Sequence, residues 1–319
     1  MSLKKTLDVI KKHKTFLIST HVNPDPDALC SELALYFYLK SMGKKVTIVN
    51  SEKVPDRFLF LPGAKHIKVY SARSHVNSEV ALIVDCGELD RIGRVRQAIR
   101  KDTLIVNIDH HLTNDHFGRV NLVYPKASST CEILYDLLAK AGASLNDTIA
   151  LHLYAGIMTD TGSFRYDNTT THTHEIAARL RRFQFSATAL YQRFYEMIPF
   201  SDMKHFIRVV SGFDALWGGK VLCVELNKNV LSKFSEGFDL RDTIFKFLRS
   251  IRGVEVVAIF TQAKQKYTRV NFRSSGKVNV ARLAGMFKGG GHHNASGCAI
   301  DHGIKTARRL VLKKIRELV

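Results

Sequence analysis

The sequence predicts an α/β protein with a doubly wound, mainly parallel sheet, followed by a smaller α/β domain with antiparallel hairpins. From Thr15 to about Ile157, β-rich runs alternate with helical stretches, the pattern of a parallel sheet covered on both faces. After about Ser201 the pattern changes to pairs of strands. The 319 residues also exceed what one core usually fills, because single cores stop growing at roughly 250–300 residues. Two domains are therefore expected.

The first domain is expected over residues 1–183, followed by a helical connector at 184–200. Leu29, Leu33 and Tyr36 recur at helical spacing and predict a helix over Ala28–Met42. Lysines interleaved with apolar residues over 1–13 predict an amphipathic surface helix. The other elements are predicted as strands at Thr15–Ser19, Lys45–Val49, Glu79–Val84 and Thr103–Ile108, and as helices at Ser129–Ala141, Asp147–Met158 and His174–Phe183.

The second domain, expected over residues 201–319, begins with a hairpin signal. Gly218 and Gly219 form a two-residue turn signal between the strand candidates Phe213–Trp217 and Lys220–Leu226. The remaining elements are predicted as an antiparallel pair at Val254–Thr261 and Lys266–Arg273, a helix at Val280–Phe287, a strand at Ala295–Asp301 and a basic helix from about Gly303.

Composition limits the class of protein but does not identify a substrate. Lys and Arg number 48 against 29 acidic residues, which gives a formal charge of +19. This charge attracts polyanions, but a solvated basic surface explains it equally well. The five cysteines form no C-x-x-C pair, which argues against a disulfide framework or a zinc ribbon and favours a reducing cytoplasm. No apolar run reaches the roughly 18 residues that span a bilayer, so no membrane partner is expected.

Carboxylates and histidines stand at the ends of several predicted elements. They are His21, Asp25 and Asp27 after the first strand, Asp85 after the third, Asp109, His110 and His111 after the fourth, and Asp160 at the end of a helix. Singly, such an Asp is more often a cap or turn former, and a His pair more often lies on the surface. Their recurrence at one edge of a parallel sheet instead predicts a ligand site. Carboxylates with imidazoles suit Mn²⁺ or Mg²⁺, and two such ions can activate water against a phosphoryl group.

These motifs, with Arg273-Ser274 and Gly289-Gly290-Gly291-His292-x-x-Ala295-x-Gly297, resemble those of the DHH phosphoesterase family that has a DHH-associated second domain. The resemblance covers nearly the whole chain. It implies hydrolysis of short oligoribonucleotides (nanoRNA), of the 3′-phosphate of pAp, or of both, with two divalent ions, Mn²⁺ before Mg²⁺.

The resemblance also implies roles for individual residues. One ion would be held by His21, Asp25 and Asp85, and the other by Asp27, Asp85, His110 and Asp160, which makes Asp85 the bridge. His111 would lie near the scissile phosphate and assist the leaving group. Pro26 stands where the family commonly has Gly, so this loop is expected to differ slightly, because proline holds φ near −65°.

Substrate-binding candidates lie mainly in the second domain. The three glycines at 289–291 let backbone N–H groups approach an anion or a base, although a flexible turn is the alternative. Arg273 offers a planar fork for a phosphate. In the family this domain holds the nucleotide, so the expected binding residues are Arg273, Ser274, Gly289, Gly290, Gly291 and His292, facing a cleft between the domains. Arg165 either neutralises phosphate charge or forms an exposed salt bridge, and Ser128–Thr130 is expected only to cap a helix.

Other functions stay open. The chain could hydrolyse cyclic or linear dinucleotides, or pyrophosphate, which the glycine-rich second domain disfavours. A non-catalytic nucleic-acid-binding protein is a different class. Such a protein would be expected to have lost metal ligands, whereas every expected ligand type is present here. The expected partner is a short RNA or nucleotide substrate, and a homodimer is compatible with the resemblance.

Overall fold

A computed structural model of the chain describes residues 2–72, 76–235 and 237–318 and separates two units, Met1–Met197 and Ile198–Val319. The elements of the first unit are α1 (Ser2–Lys12), β1 (Thr15–Ser19), α2 (Pro26–Ser41), β2 (Lys45–Asn50), β3 (Ile67–Val69), β4 (Val80–Val84), β5 (Leu104–Asp109), β6 (Val120–Val123), α3 (Thr130–Lys140), α4 (Asp147–Asp160), α5 (Thr171–Leu180) and α6 (Ala187–Tyr195), with 3₁₀ turns at Asp56–Phe58, Ala64–His66 and Leu89–Ala98.

The sheet of the first unit is parallel throughout, and its six strands lie in the order β3-β2-β1-β4-β5-β6. This confirms the predicted doubly wound sheet. The strand order reverses between β1 and β4, and open sheets bind their ligands outside the carboxyl ends of strands at such a switch point. The edge strands β3 and β6 were not predicted, because each is short and only partly buried.

Alternate residues of the central strands pack on opposite faces of this sheet, as the pleat requires. Ile18 and Leu82 belong to the larger core, which also contains the buried faces of the α-helices. Leu17 and Ile83 belong to a smaller core on the other face, where the 3₁₀ segment Leu89–Ala98 contributes Ile92 and Val95. The second face is therefore covered by the 3₁₀ segment Leu89–Ala98, and no α-helix among the described residues contributes to this smaller core.

The helix α2 begins at Pro26, with Asp25 as its N-cap at φ −87° and ψ 179°. Proline suits the first turn of a helix, because its fixed φ is already helical and the N–H it lacks would have no partner there. Pro26 is therefore compatible with the pose of the flanking carboxylates, and no positive φ is required of it.

The second unit has a mixed sheet in the order β11-β12-β10-β9-β8-β7. Its elements are α7 (Phe200–Ser211), β7 (Asp214–Leu216), β8 (Val221–Leu226), α8 (Lys228–Leu231), α9 (Leu240–Arg249), β9 (Val256–Lys264), β10 (Tyr267–Ser274), α10 (Val280–Gly285), β11 (Gly290–His292), β12 (Ala295–Ile300) and α11 (Ile304–Ile315). Both predicted hairpins are confirmed. Strands β8 and β9 pair in parallel, and α9 lies in the crossover that such a pairing needs.

The predicted amphipathic helix at the N-terminus is α1, which buries Thr6, Leu7 and Ile10. All five cysteines are free and buried, as packing residues should be. Among the residues that the structure describes, no helix is both long enough and apolar enough to cross a membrane.

Glu32 is a buried carboxyl group of α2, and its Oε2 accepts a hydrogen bond from Asn50 Nδ2 at 2.9 Å. Burial raises the pKa of Glu32 to about 8, and this hydrogen bond offsets only part of the effect. A Glu in an unfolded chain has a pKa near 4.3, so the folded state holds the proton more tightly. The free energy of unfolding should therefore fall as the pH rises between these values, by roughly 1.4 kcal/mol for each pH unit.

We expect Glu32→Gln to remove this loss, because glutamine has the same shape and can still accept the hydrogen bond from Asn50. The variant should exceed the wild type in stability by about 3 kcal/mol near pH 7 and by almost nothing near pH 4.5. Thermal unfolding at both pH values measures the difference, with the exposed Glu175→Gln as control. An equal shift at the two pH values would contradict the proposed titration.

Candidate metal centre

Asp85 lies at the centre of the acidic and histidine cluster, directly after β4. Its backbone is left-handed, at φ 51°, and its N–H donates to the carbonyl of Ile108 at 2.9 Å. Such a conformation is uncommon outside glycine, although Asp tolerates it, and residues held this way are frequent at functional sites. The residue is 1% exposed, and its Oδ1 accepts a hydrogen bond from Thr130 Oγ1 at 2.9 Å. The fold therefore fixes this carboxylate from two sides.

One group of potential ligands joins Asp85 to the segment after β1. One ligand atom each of His21, Asp25 and Asp85 lies within 4.8 Å of the others. His21 Nε2 is 3.6 Å from Asp85 Oδ2, while Nδ1 donates to the carbonyl of Val22 at 2.8 Å. Histidines that bind metals usually donate their other ring N–H in this way, because it fixes the orientation of the ring.

A second group lies on the other side of Asp85. Ligand atoms of Asp27, His110 and Asp160 again lie within 4.8 Å of one another. His110 Nε2 is 3.5 Å from Asp85 Oδ1 and 3.4 Å from Asp160 Oδ2. The two groups are thus joined through Asp85, as a carboxylate shared by two cations would require.

The N-terminus of α3 holds Asp27. Its two carboxylate oxygens accept hydrogen bonds from the N–H groups of Thr130, at 2.7 Å, and Cys131, at 3.1 Å. Helix N-termini attract carboxylates in this manner. Ser129 caps α3 as predicted, but the expectation that Ser128–Thr130 only caps is wrong for Thr130, which binds both Asp27 and Asp85.

Gly156 allows α4 to pass close behind Asp27. A Cβ at this position would lie 2.5 Å from Asp27 Oδ1 and 2.3 Å from the sulfur of Cys131. A glycine inside a helix costs roughly 1 kcal/mol relative to alanine, so its presence here needs a reason. The close packing of α4 against Asp27 supplies one.

The carboxylates in this cluster repel one another when no cation is present. Burial and the nearby charges of Asp85 and Asp160 raise the pKa of Asp27 well above its usual value. Burial opposes the ionisation of Asp85 as well, yet the hydrogen bond with His21 and the charges of His110 and His111 hold its pKa below the usual range. The cluster therefore favours positive charge around Asp85, which divalent cations would supply.

His111 is held by a chain of hydrogen bonds that was not predicted. Its Nδ1 donates to Asp109 Oδ1 at 2.7 Å, and the other oxygen of Asp109 accepts from Asn114 Nδ2 at 2.6 Å. Burial opposes protonation of His111, but the bond to Asp109 and the charge of Asp85 raise its pKa to about 9. Because Nδ1 is engaged by Asp109, Nε2 is the nitrogen left to face a ligand.

Arg165 lies in a left-handed turn that follows Asp160. Gly162, Ser163 and Phe164 all have φ between 56° and 63°, and Arg165 Nε donates to the carbonyl of Gly162 at 2.8 Å. No salt bridge of Arg165 is present in the described part of the chain, so the exposed salt bridge that the sequence left open does not form there.

The candidates of the second unit are divided between a strand end and a short edge strand. The guanidinium of Arg273, on β10, lies 4.8 Å from the centre of the Phe245 ring and donates to the carbonyl of Phe272 at 3.1 Å. Ser274 is fully buried, and its hydroxyl accepts the N–H of Gly276 at 2.9 Å, which shapes the turn after β10.

The flexible turn that was the alternative for the glycine run does not extend over Gly290–His292, which form the strand β11, paired antiparallel with β12. A Cβ at Gly289 or Gly291 would lie 2.3 or 2.5 Å from a backbone oxygen of β12, so close strand packing requires these two glycines. Open space faces Gly290. The side chain of His292 lies outside what the structure describes.

The donor set fits two divalent cations. Every candidate ligand is a carboxylate or an imidazole, and no thiolate belongs to the groups found among the described residues. Oxygen-rich sites with some imidazole suit Mn²⁺ and Mg²⁺, whereas thiolates favour zinc and copper. The crowding of carboxylates around the buried side chains of Asp27 and Asp85 is costly without cations, which agrees with this chemistry.

Comparison with known proteins places this centre in a described family. Residues 15–157 match the model of the DHH family N-terminal domain, and residues 227–319 match that of the DHHA1 domain. The bifunctional oligoribonuclease and PAP phosphatase NrnA of Thermus thermophilus is 31% identical over 304 residues, which cover 94% of this chain and 89% of that protein. The protein of the same name from Bacillus subtilis is 29% identical, with 91% of each chain covered.

Among solved structures, an exopolyphosphatase-related protein from Bacteroides fragilis has a TM-score of 0.91 at 26% identity and covers 99% of this chain, with 97% of its own length matched. The likeness extends over both units. Together with the identity to the Thermus protein and the two domain matches, this likeness assigns the chain to a family. The chain belongs to the DHH family of phosphoesterases, as a member in which a DHH domain is followed by a DHHA1 domain.

Proposed function

We propose that this protein hydrolyses short oligoribonucleotides and the 3′-phosphate of pAp, with two divalent metal ions, preferably Mn²⁺. The observation that carries the proposal is the pair of ligand groups joined through the buried carboxylate of Asp85. The names of the Thermus and Bacillus relatives support the substrate class. A non-catalytic binding protein would have no need to keep the buried carboxylates of Asp27 and Asp85 crowded together with those of Asp25 and Asp160.

The ligands of the first ion would be His21, Asp25 and Asp85, and those of the second would be Asp27, Asp85, His110 and Asp160. Ions bound there would lower the pKa of a water molecule and neutralise charge on the phosphoryl oxygens. The protein's own contribution is to hold the ligands in place: the N-terminus of α3 orients Asp27, and the hydroxyl of Thr130 orients Asp85.

His111 would serve as the general acid in this proposal. Although burial opposes protonation, the hydrogen bond with Asp109 raises the pKa of His111 and so favours its protonated form. With Nδ1–H donating to Asp109, the proton on Nε2 is available to the oxygen that leaves phosphorus. Loss of that proton returns the ring to the neutral form, which Asp109 keeps in the correct orientation.

The DHHA1 domain would bind the nucleotide part of the substrate. Arg273 supplies a planar guanidinium, and Gly290 is the glycine of its run with open space in front of it. Gly289, Gly291 and Ser274 would shape the backbone around them, and His292 belongs to the same proposed set. In the DHH domain, Arg165 would neutralise phosphate charge near Asp160.

An assay of product release tests this function. Purified protein with Mn²⁺ would be given pAp, a diribonucleotide, a 24-nucleotide RNA, a cyclic dinucleotide and pyrophosphate in parallel. We expect fast release from the first two, slow release from the long RNA and almost none from pyrophosphate. Fastest turnover of the cyclic dinucleotide would favour the dinucleotide phosphodiesterase instead, and RNA binding without turnover of any substrate would contradict an enzyme.

Arg273→Ala is expected to lower kcat/KM for nucleotide substrates. It should leave kcat/KM nearly unchanged for a small artificial phosphodiester such as bis-p-nitrophenyl phosphate. A charge-assisted hydrogen bond contributes roughly 1.5–3 kcal/mol, which corresponds to about ten- to hundredfold in kcat/KM. The artificial substrate carries no nucleotide for Arg273 to contact, so its hydrolysis should change little.

Both substrates would be compared at fixed Mn²⁺ and ionic strength. Arg269→Ala is the matched control, because Arg269 is an exposed arginine on the same strand and the same face. Equal losses on the two substrates would assign Arg273 to the metal centre or to the stability of the fold, since its guanidinium packs on Phe245.

A further inference from the structure

The second unit contains a cavity of about 380 Å³ that no part of the proposed reaction uses. Residues of α7, β8, α11 and the segment after α8 line it, among them His205, Arg208, Lys233 and Phe234. Its volume lies within the range of roughly 300–1,000 Å³ that is usual for small-molecule sites.

The charges around this cavity are unequally partnered. Arg308 pairs with Asp214 at 2.7 Å and with Glu225 at 3.0 Å, so the two acidic residues of the lining share one cation. Arg208 and Lys233 form no ion pair with a carboxylate in the described part of the chain. Two cations of the lining are therefore available to an anion from solvent.

An aromatic wall stands beside these cations. Phe234 stacks on Phe238 with ring centres 5.5 Å apart and an angle of 13° between the planes, which fixes its orientation. The ring of His205 meets Phe234 edge-on, at 6.0 Å and 69°. Val209, Val224 and Val230 complete the apolar part of the lining.

The topology of the sheet separates this cavity from the glycine strand. Its strand residues belong to β7 and β8, whereas Gly290 lies on β11 at the opposite edge of the same sheet. Four strand spacings lie between β8 and β11, which is about 19 Å. One nucleotide therefore cannot occupy both places, and Arg273, on β10, does not line the cavity.

We propose that this cavity is a second binding site, for a nucleoside monophosphate group. Arg208 and Lys233 hold its phosphate, the base lies against Phe234, and the carboxylates of Glu225 and Asp214 accept hydrogen bonds from the ribose hydroxyls. The combination of two available cations, an aromatic face and acceptors within about 380 Å³ favours this class over inorganic phosphate, which would leave the aromatic wall unused.

The same group can come from a free mononucleotide or from one nucleotide of a longer RNA, and a binding experiment separates the two sources. AMP, adenosine, inorganic phosphate and a pentaribonucleotide would be titrated calorimetrically into the full-length protein in EDTA. The measured quantity is the affinity and not turnover, so the result does not depend on the proposed catalytic function. The variants are Arg208→Ala/Lys233→Ala, Phe234→Leu and the control Lys228→Ala/Arg309→Ala, which removes two exposed cations outside the lining.

We expect wild type and control to bind AMP alike, and Arg208→Ala/Lys233→Ala to bind it at least tenfold more weakly. Phe234→Leu should weaken the binding of AMP more than that of inorganic phosphate. Adenosine should bind poorly to the wild type and to every variant. If the double variant weakens only the pentaribonucleotide, the site is still supported and its occupant is a nucleotide within RNA. An unchanged affinity for both ligands, or an equal loss in the control, would overturn the site.

Discussion

Asp85→Asn is expected to abolish hydrolysis of every substrate. The carboxylate of Asp85 is the one that both ligand groups share. The neutral amide of asparagine would therefore weaken the binding of both proposed ions. Metal ions stabilise such transition states by several kcal/mol, and the loss should be roughly 10³-fold or more in kcat. The fold should survive, because the substitution relieves repulsion with Asp27 and keeps an oxygen for the hydroxyl of Thr130.

Metal content by mass spectrometry and turnover with pAp would be measured on the purified variant, with circular dichroism as the check of folding. Asp167→Asn, an exposed carboxylate of the same unit, is the matched control. Two bound Mn²⁺ ions together with near-normal turnover in Asp85→Asn would exclude the bridging role.

Neighbouring histidines are expected to give opposite phenotypes. His111→Ala should keep the metal content of the wild type and lower the chemical rate by roughly 10²–10⁴-fold, the usual contribution of a positioned acid or base. His110→Ala should instead lose metal, because its Nε2 lies within 3.5 Å of both Asp85 and Asp160.

Single-turnover kinetics at saturating Mn²⁺ would separate the two effects. Excess metal should restore part of the activity of His110→Ala and none of that of His111→Ala. If the two variants exchanged these phenotypes, His111 would be the ligand and the general-acid proposal would fail.

Elements with regular apolar patterning could be predicted from the sequence. Strand β1 matches its predicted bounds, and α2 and α4 begin or end within two residues of theirs. The helix α9 was not predicted, although Leu240, Ile244 and Leu248 recur every four residues along its buried face. That periodicity predicts a helix between β8 and β9. A helix at this place would have indicated a crossover connection, and therefore the parallel pairing of the two strands.

The ligand types could be predicted because strand ends are local features, whereas the contacts that orient them are not. Asp27 and Thr130 lie 103 positions apart, and only the folded sheet brings the N-terminus of α3 to that carboxylate. Asn114 is only five positions from Asp109. The side chain of an asparagine in a turn, however, usually forms hydrogen bonds with the backbone of that turn. The packing role of the glycines at 289 and 291 could not be predicted, because it depends on the backbone of β12, which lies against them only in the folded sheet.

Anomalous X-ray diffraction from crystals soaked in Mn²⁺ would show whether Asp85 is shared by two metal ions, because it locates each ion without relying on activity. We expect two manganese peaks roughly 3.5–4 Å apart, one beside His21 and Asp25 and the other beside His110 and Asp160, with Asp85 between them. A single peak, or peaks that do not share Asp85, would contradict the two-metal centre.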